Sequence, residues 1–248
     1  MIRLLTCFLM LTFLLSAGPA SLANSASEDH MTGLRLAALL RAARSIISNH
    51  QDLINDPSPG NKHLTGERVV EEAAALFQKR EGQPPLSEAL NDRERKLIDA
   101  EVASIREIID ENQSLINAEG IAFKGFIPAV FARLVNERFA EKVGDEALLK
   151  VTAPIDLVRN RKARPDGWEQ SVFADQLQQD DWRHGEAFME EAEHSGRAAF
   201  RMLIPEYYSV SCLTCHGGPK GELDVTGYPK EGGGEGDLAG AISITLFR

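Results

Sequence analysis

The sequence predicts an α+β fold: helices first, then a small antiparallel sheet flanked by helices, with a long-helix extension at the amino-terminal side. Two patterns carry that prediction. Up to about residue 144 apolar residues recur at helical spacing, and beyond it three short apolar runs bounded by Gly or Pro read as strands. Composition agrees, since 248 residues at 43% hydrophobic content are enough to bury a sizeable core.

The chain opens with Arg3, an apolar run from Leu4 to Leu15, and a small-residue cleavage pattern at Ser21-Leu22-Ala23. This is the layout of a secretory signal peptide, and the run falls short of the roughly 20 residues needed to span a bilayer. Residues 1–23 are therefore expected to be removed, leaving a periplasmic protein with no membrane span. Losing Arg3 takes the net charge from −10 to about −11, an acidic balance that argues against nucleic-acid binding.

The first helix is expected over about Thr32 to Ile54, with an apolar face of Leu36, Leu40, Ala43, Ile47 and Ile54, and "NDPSPGN" stops it. A second covers about Gly66 to Lys79. A third runs from about Leu90 to Asn117. The first and third match at a constant offset of 62: Arg44, Ile46, Ile47, Gln51, Leu53, Ile54 and Asn55 fall on Arg106, Ile108, Ile109, Gln113, Leu115, Ile116 and Asn117, and Lys62 falls on Lys124. Matches outside the apolar stripe point to duplication of one helix-and-turn unit, whose helices pair either within a chain or across a homodimer. A shorter helix follows, with Pro128 in its first turn and Gly144 at its end.

Strands are expected at 147–153, 198–204 and 240–247. Between the first two lies a helix candidate, "DGWEQSVFADQLQQDDW", and the glycine-rich segment from Gly217 to Gly240 reads as loop.

Without Cys7, which lies inside the leader, two cysteines remain, and both fall in "VSCLTCHGGPKG". Cys-x-x-Cys-His is the attachment signature of a c-type haem. Cys212 and Cys215 would each add across one vinyl group of the porphyrin, and His216 would then be the proximal iron ligand. Three other readings compete. A structural zinc site needs four ligands and has no second pair here. A thioredoxin-like pair would open a helix near a βαβ unit, and a disulfide closing so short a loop stabilises little. The disulfide also leaves His216 without a role.

Candidates for a sixth ligand are His50, in line with Ile47 and Ile54, and Met202, in a strand. The competing readings are a hydrogen-bonded core histidine and core packing, and a water-bound or open position stands beside them. His63, His184 and His194 sit in polar sequence and read as solvated, and His30 lies beside the cleavage region. Arg159 and Arg161, in a basic run within an acidic chain, are either a solvated loop or partners for haem propionates.

"FKGFIPAVFARLVNERF", "VRNRKARPDGWE" and "FRMLIPEYYSVSCLTCHGGPKGELDVTGYPKEGGGEGDLAGAISITL" together resemble a family of bacterial haem proteins with a PAS-like fold and one c-type haem. That domain occurs alone in secreted proteins and as the extracytoplasmic input of membrane histidine kinases. The resemblance covers roughly residues 95–248. Beyond the leader over 1–23, it implies a helical extension over 24–90 and a PAS-like haem domain over 91–248. Haem c would be held by Cys212, Cys215 and His216. The expected activity is electron transfer or redox sensing with a redox or signalling partner in the periplasm, or else small-gas sensing through a partner. No distal acid-base pair stands out, so an enzyme is not expected.

Overall fold

The computed structural model describes the chain from residue 19, and its side chains from residue 26. The expected leader, with Arg3 and Cys7, lies outside the residues whose side chains are described. Helix α1 (Pro19–Asn49) is followed after a one-residue kink by α2 (Gln51–Asn55), then α3 (Gly66–Glu81). Helix α4 (Asp92–Glu111), α5 (Gln113–Ile116) and α6 (Pro128–Val143) repeat the same unit, and α3 and α6 have the same bounds once the offset of 62 is applied.

The repeat is geometric as well as sequential. The kink residues His50 and Asn112 share φ −96° and ψ 11°. Gln51 Nε2 donates to the Ile47 carbonyl and across to Phe126 O at 3.1 Å, while Gln113 Nε2 donates to Ile109 O and across to Leu64 O at 2.8 Å. Asn55 Oδ1 accepts from the Lys124 N–H, and Asn117 Oδ1 accepts from the Lys62 N–H. Each unit thus braces the loop of the other, and the repeated helices pair within one chain. Val69, Ala73 and Phe77 on α3 are buried like their counterparts Phe131, Val135 and Phe139 on α6. Gly82 and Gly144 end both helices at positive φ, where a Cβ would be strained.

Four strands follow: β1 (Ala147–Thr152), β2 (Phe188–His194), β3 (Arg197–Tyr207) and β4 (Leu238–Phe247). They form one sheet in the order β1-β4-β3-β2 with every neighbour antiparallel. The α+β expectation holds. Period-two alternation gives the sheet two faces. Leu149, Ile244 and Met202 lie in register on the face that packs against the helices, in the same buried cluster as Leu36, Leu40, Ile98 and Ile105. The predicted extension and the sheet therefore share a core. Leu203 and Ala241 point the other way, under α7 (Gly167–Val172) and the π-helical turn Phe173–Leu177.

Three expectations change. The first and third helices are not continuous but break at His50 and Asn112. The helix candidate from Asp166 stops being α-helical at Val172. Strand β2 was not anticipated, because it is an exposed edge carrying Glu190, Glu191 and Glu193 rather than an alternating apolar run. Among the described residues no helix is long and apolar enough to cross a membrane.

Candidate haem-attachment site

The long connection between β3 and β4 carries the cysteine motif. It is pinched shut at its base: Tyr208 N–H donates to Asp237 O, and the Gly236 N–H donates back to Tyr208 O. After Tyr208 the chain makes a 3₁₀ turn (Val210–Cys212) and one helical turn, α8 (Leu213–His216). Cys212 is the residue before α8 and Cys215 lies within it. The cysteines thus do sit on a short helix, contrary to the loop expected, although the sheet contains no parallel pair and hence no βαβ unit.

The segment after His216 folds back over it. Gly233 N–H donates to His216 O at 2.9 Å and Gly232 N–H to Gly217 O at 3.2 Å. Gly233 has to be glycine, since a Cβ there would lie 2.5 Å from the Tyr208 ring. That ring stacks on the His216 imidazole with centroids 5.1 Å apart. Burial, with the Glu231 carboxylate nearby, pushes the Tyr208 phenol up to about 12, so it stays neutral.

His216 Nδ1 lies 2.8 Å from Glu231 Oε2, which leaves Nε2 as the free ring nitrogen. Behind Glu231 stands Arg159. Its Nε donates to Glu231 Oε1 at 2.7 Å, Nη1 to Asp224 Oδ2 at 2.6 Å, and Nη2 to both Glu231 Oε2 and the Cys215 carbonyl at 2.8 Å. Burial disfavours the Glu231 and Asp224 carboxylates, but hydrogen bonds from Arg159 and His216 to the first, and from Thr226 and Arg159 to the second, hold both below the usual carboxylate range.

Arg159 is neither a solvated loop cation nor free to pair with propionates, because its guanidinium is spent on the motif's own backbone and acids. Sequence reasoning missed Tyr208, just ahead of the motif, and Glu231 and Asp224, which belong to the site only through the fold-back of the loop.

Cys212 and Cys215 are both free thiols and partly exposed. Burial, reinforced by the Asp224 carboxylate, raises the Cys215 thiol above its ordinary value, whereas an attacking redox cysteine is activated by a lowered one. Among the described residues no group of three or more His, Cys, Asp or Glu side chains is arranged to hold a metal ion, so no zinc set forms around the pair. Val210, Leu223, Val225 and Tyr228, all on this connection, are among the exposed large apolar residues, at 67%, 65%, 58% and 47%.

The other candidates are engaged elsewhere. His50 Nε2 bonds Glu72 of α3 at 2.7 Å. Met202 is fully buried in the helix-facing core, its sulfur against Gly33 of α1. His63 is exposed, as expected, and His184, also exposed, stacks on Tyr207. His194 is partly buried beside Phe247 and Asp166 rather than solvated.

Fold and site together define an α+β protein in which an antiparallel sheet rests on a duplicated helical pair and the connection between its two central strands presents a Cys-x-x-Cys-His turn. The chain belongs to the Tll0287-like family, whose pattern matches residues 62–246. No curated protein and no solved structure matches it.

Proposed function

We propose that this protein carries one covalently attached c-type haem and serves as a periplasmic electron carrier or redox sensor rather than an enzyme. The bond from His216 Nδ1 to Glu231 carries the reading, because a carboxylate on one ring nitrogen fixes the tautomer and orients the other toward a metal. Cys212 and Cys215 would form the thioethers, each S–H adding across a vinyl double bond, and His216 Nε2 would meet the iron. The protonated state favoured at Cys215 suits that addition. When bound, haem iron supplies a one-electron ferric/ferrous couple. The exposed apolar residues Val210, Leu223 and Val225 offer surface that a macrocycle could cover.

The protein's own groups would hold the ligand rather than react. Arg159 keeps Glu231 ionised and ties it to the Cys215 backbone, so the carboxylate stays on His216 through the redox cycle. Export by the predicted leader agrees with the compartment in which c-type haem is attached.

A second reading, a small-ligand haem sensor acting through a partner protein, is supported by the engagement of His50 with Glu72 and the burial of Met202, which leave neither free as a sixth ligand.

Expression with a cytochrome c maturation system tests the proposal. Purified protein should give a pyridine haemochrome spectrum and a denatured mass increased by one haem, and Cys212→Ala with Cys215→Ala should abolish both. Absence of covalent haem in the wild type would refute it. Carbon monoxide added to the reduced protein then separates the readings: a shifted Soret band supports the sensor, an unmoved one the carrier.

A further inference from the structure

The second sheet face holds a small cavity, its wall partly polar, that the cysteine site does not use. On this face the strands place Lys150 beside Ser243, and Leu148 beside Thr245 beside Arg201. The opposite face at the same positions is wholly apolar. Ser243 and Thr245 are each 3% exposed and Arg201 is 2% exposed. A cavity of about 50 Å³ is lined by Leu148, Lys150, Glu169, His194, Ser243 and Thr245.

Part of this cluster has a structural purpose. Glu169 and Asp166 form the capping box of α7, and their charges meet Lys150 and Arg201: Lys150 Nζ lies 2.5 Å from Glu169 Oε2, and Arg201 Nη2 lies 2.6 Å from Asp166 Oδ2. Trp168 lies over the Arg201 guanidinium at 4.2 Å. These contacts fasten α7 to the sheet.

They leave three things unexplained. The Ser243 and Thr245 hydroxyls make no side-chain hydrogen bond among the described residues, although both residues are buried. Arg201 Nε, beside Thr245 in the sheet but outside the cavity wall, is buried without a partner. Lys150 Nζ gives two of its three hydrogens to Glu169 and to Arg164 O, and one remains. Polar groups in such recessed places are ordinarily satisfied, so the two hydroxyls and the third Lys150 hydrogen, all on residues that line the cavity, call for a partner within it.

The acceptor side of the wall is already engaged. Glu169 Oε2 receives both Lys150 and the Asp166 N–H at 2.7 Å, and Oε1 faces Arg201 at 3.8 Å. What stays open on the wall is the third Lys150 hydrogen and the two hydroxyls, each of which can donate as well as accept. One water needs roughly 10–15 Å³ in this measure of volume, so the cavity suits a species of about three or four non-hydrogen atoms.

We infer that this cavity binds a small planar monoanion with acceptor oxygens, a one- or two-carbon carboxylate or a nitrogen oxyanion, held by Lys150, Ser243 and Thr245. The site is independent of haem.

Calorimetric titration of the full mature chain with formate, acetate, nitrite and nitrate, at ionic strength held constant with chloride, tests it. Saturable one-to-one binding of at least one of the four is expected. The Ser243→Ala/Thr245→Val double variant should weaken that binding tenfold or more, with circular dichroism and Tm showing the fold retained; if the double variant does not fold, Thr245→Val alone carries the comparison. The same titration on the Cys212→Ala/Cys215→Ala protein separates this site from iron, and binding there should be unchanged. No saturable binding below about 10 mM, equal binding by the hydroxyl variant, or loss of binding with the cysteines would each overturn the inference.

Discussion

The acid behind His216 is the most consequential single residue of the site. Glu231→Gln keeps an acceptor for Nδ1 but removes the charge that, in the proposed haem protein, would stabilise an electron-poor iron. In matured protein its midpoint potential should rise by roughly 60 mV, the equivalent of a tenfold change in a one-electron couple. Potentiometry checks this, and an unchanged potential would leave Glu231 with a purely structural part. Gly233→Ala tests the fold-back itself. Its methyl would overlap the Tyr208 ring, and the loss should be about 1–3 kcal/mol in chemical denaturation. Cys212, Cys215 and His216 were legible because their chemistry demands a fixed spacing. Glu231, Asp224 and Tyr208 were not, since no rule of spacing links them to the motif, and the first two are brought there only by the returning glycine segment. Arg159 was legible as an unusual cation, but its partners were not.

Among the elements, the duplicated helices expose a difference between their halves. Glu101 on α4 is fully buried with neither oxygen hydrogen-bonded, while Leu39, its counterpart on α1, is ordinary core. Burial pushes the Glu101 carboxyl well above the ordinary 4.5, so the folded chain retains a proton that the unfolded chain releases. Stability should then fall as pH rises above that value. Glu101→Leu, which restores the repeat, should gain about 1–3 kcal/mol at pH 7 and progressively less toward pH 4, measured by urea denaturation across pH. A variant less stable than wild type at pH 7 would contradict it. The helices were readable because an apolar stripe announces them, and Gln51 with Gln113 announced the duplication because they match outside that stripe. The kinks at His50 and Asn112 left no such mark, and edge strand β2 left none because an exposed, acidic strand has no apolar alternation to read.

At the scale of the molecule, the cluster that joins Leu36, Leu40 and Ile47 of α1 to Ile242 and Ile244 of β4 makes the helical half and the sheet one cooperative body. Calorimetry of the mature protein should give a single transition. A chain beginning at residue 62, where the family match starts, should melt well below the whole protein, since the sheet's apolar face keeps α6 but loses α1; melting at the wild-type temperature would sink the idea of a shared core. The crossed bonds from Gln51 to Phe126 and from Gln113 to Leu64 carry one more meaning. They are what two separate copies of a half-sized chain would exchange across a two-fold axis. Tethered in tandem, that handshake closes at any dilution, and a change to one partner no longer strikes both. Two halves in one chain are free to differ, and Glu101 opposite Leu39, or His50 opposite Asn112, is an asymmetry that a symmetric pair of identical chains could not hold.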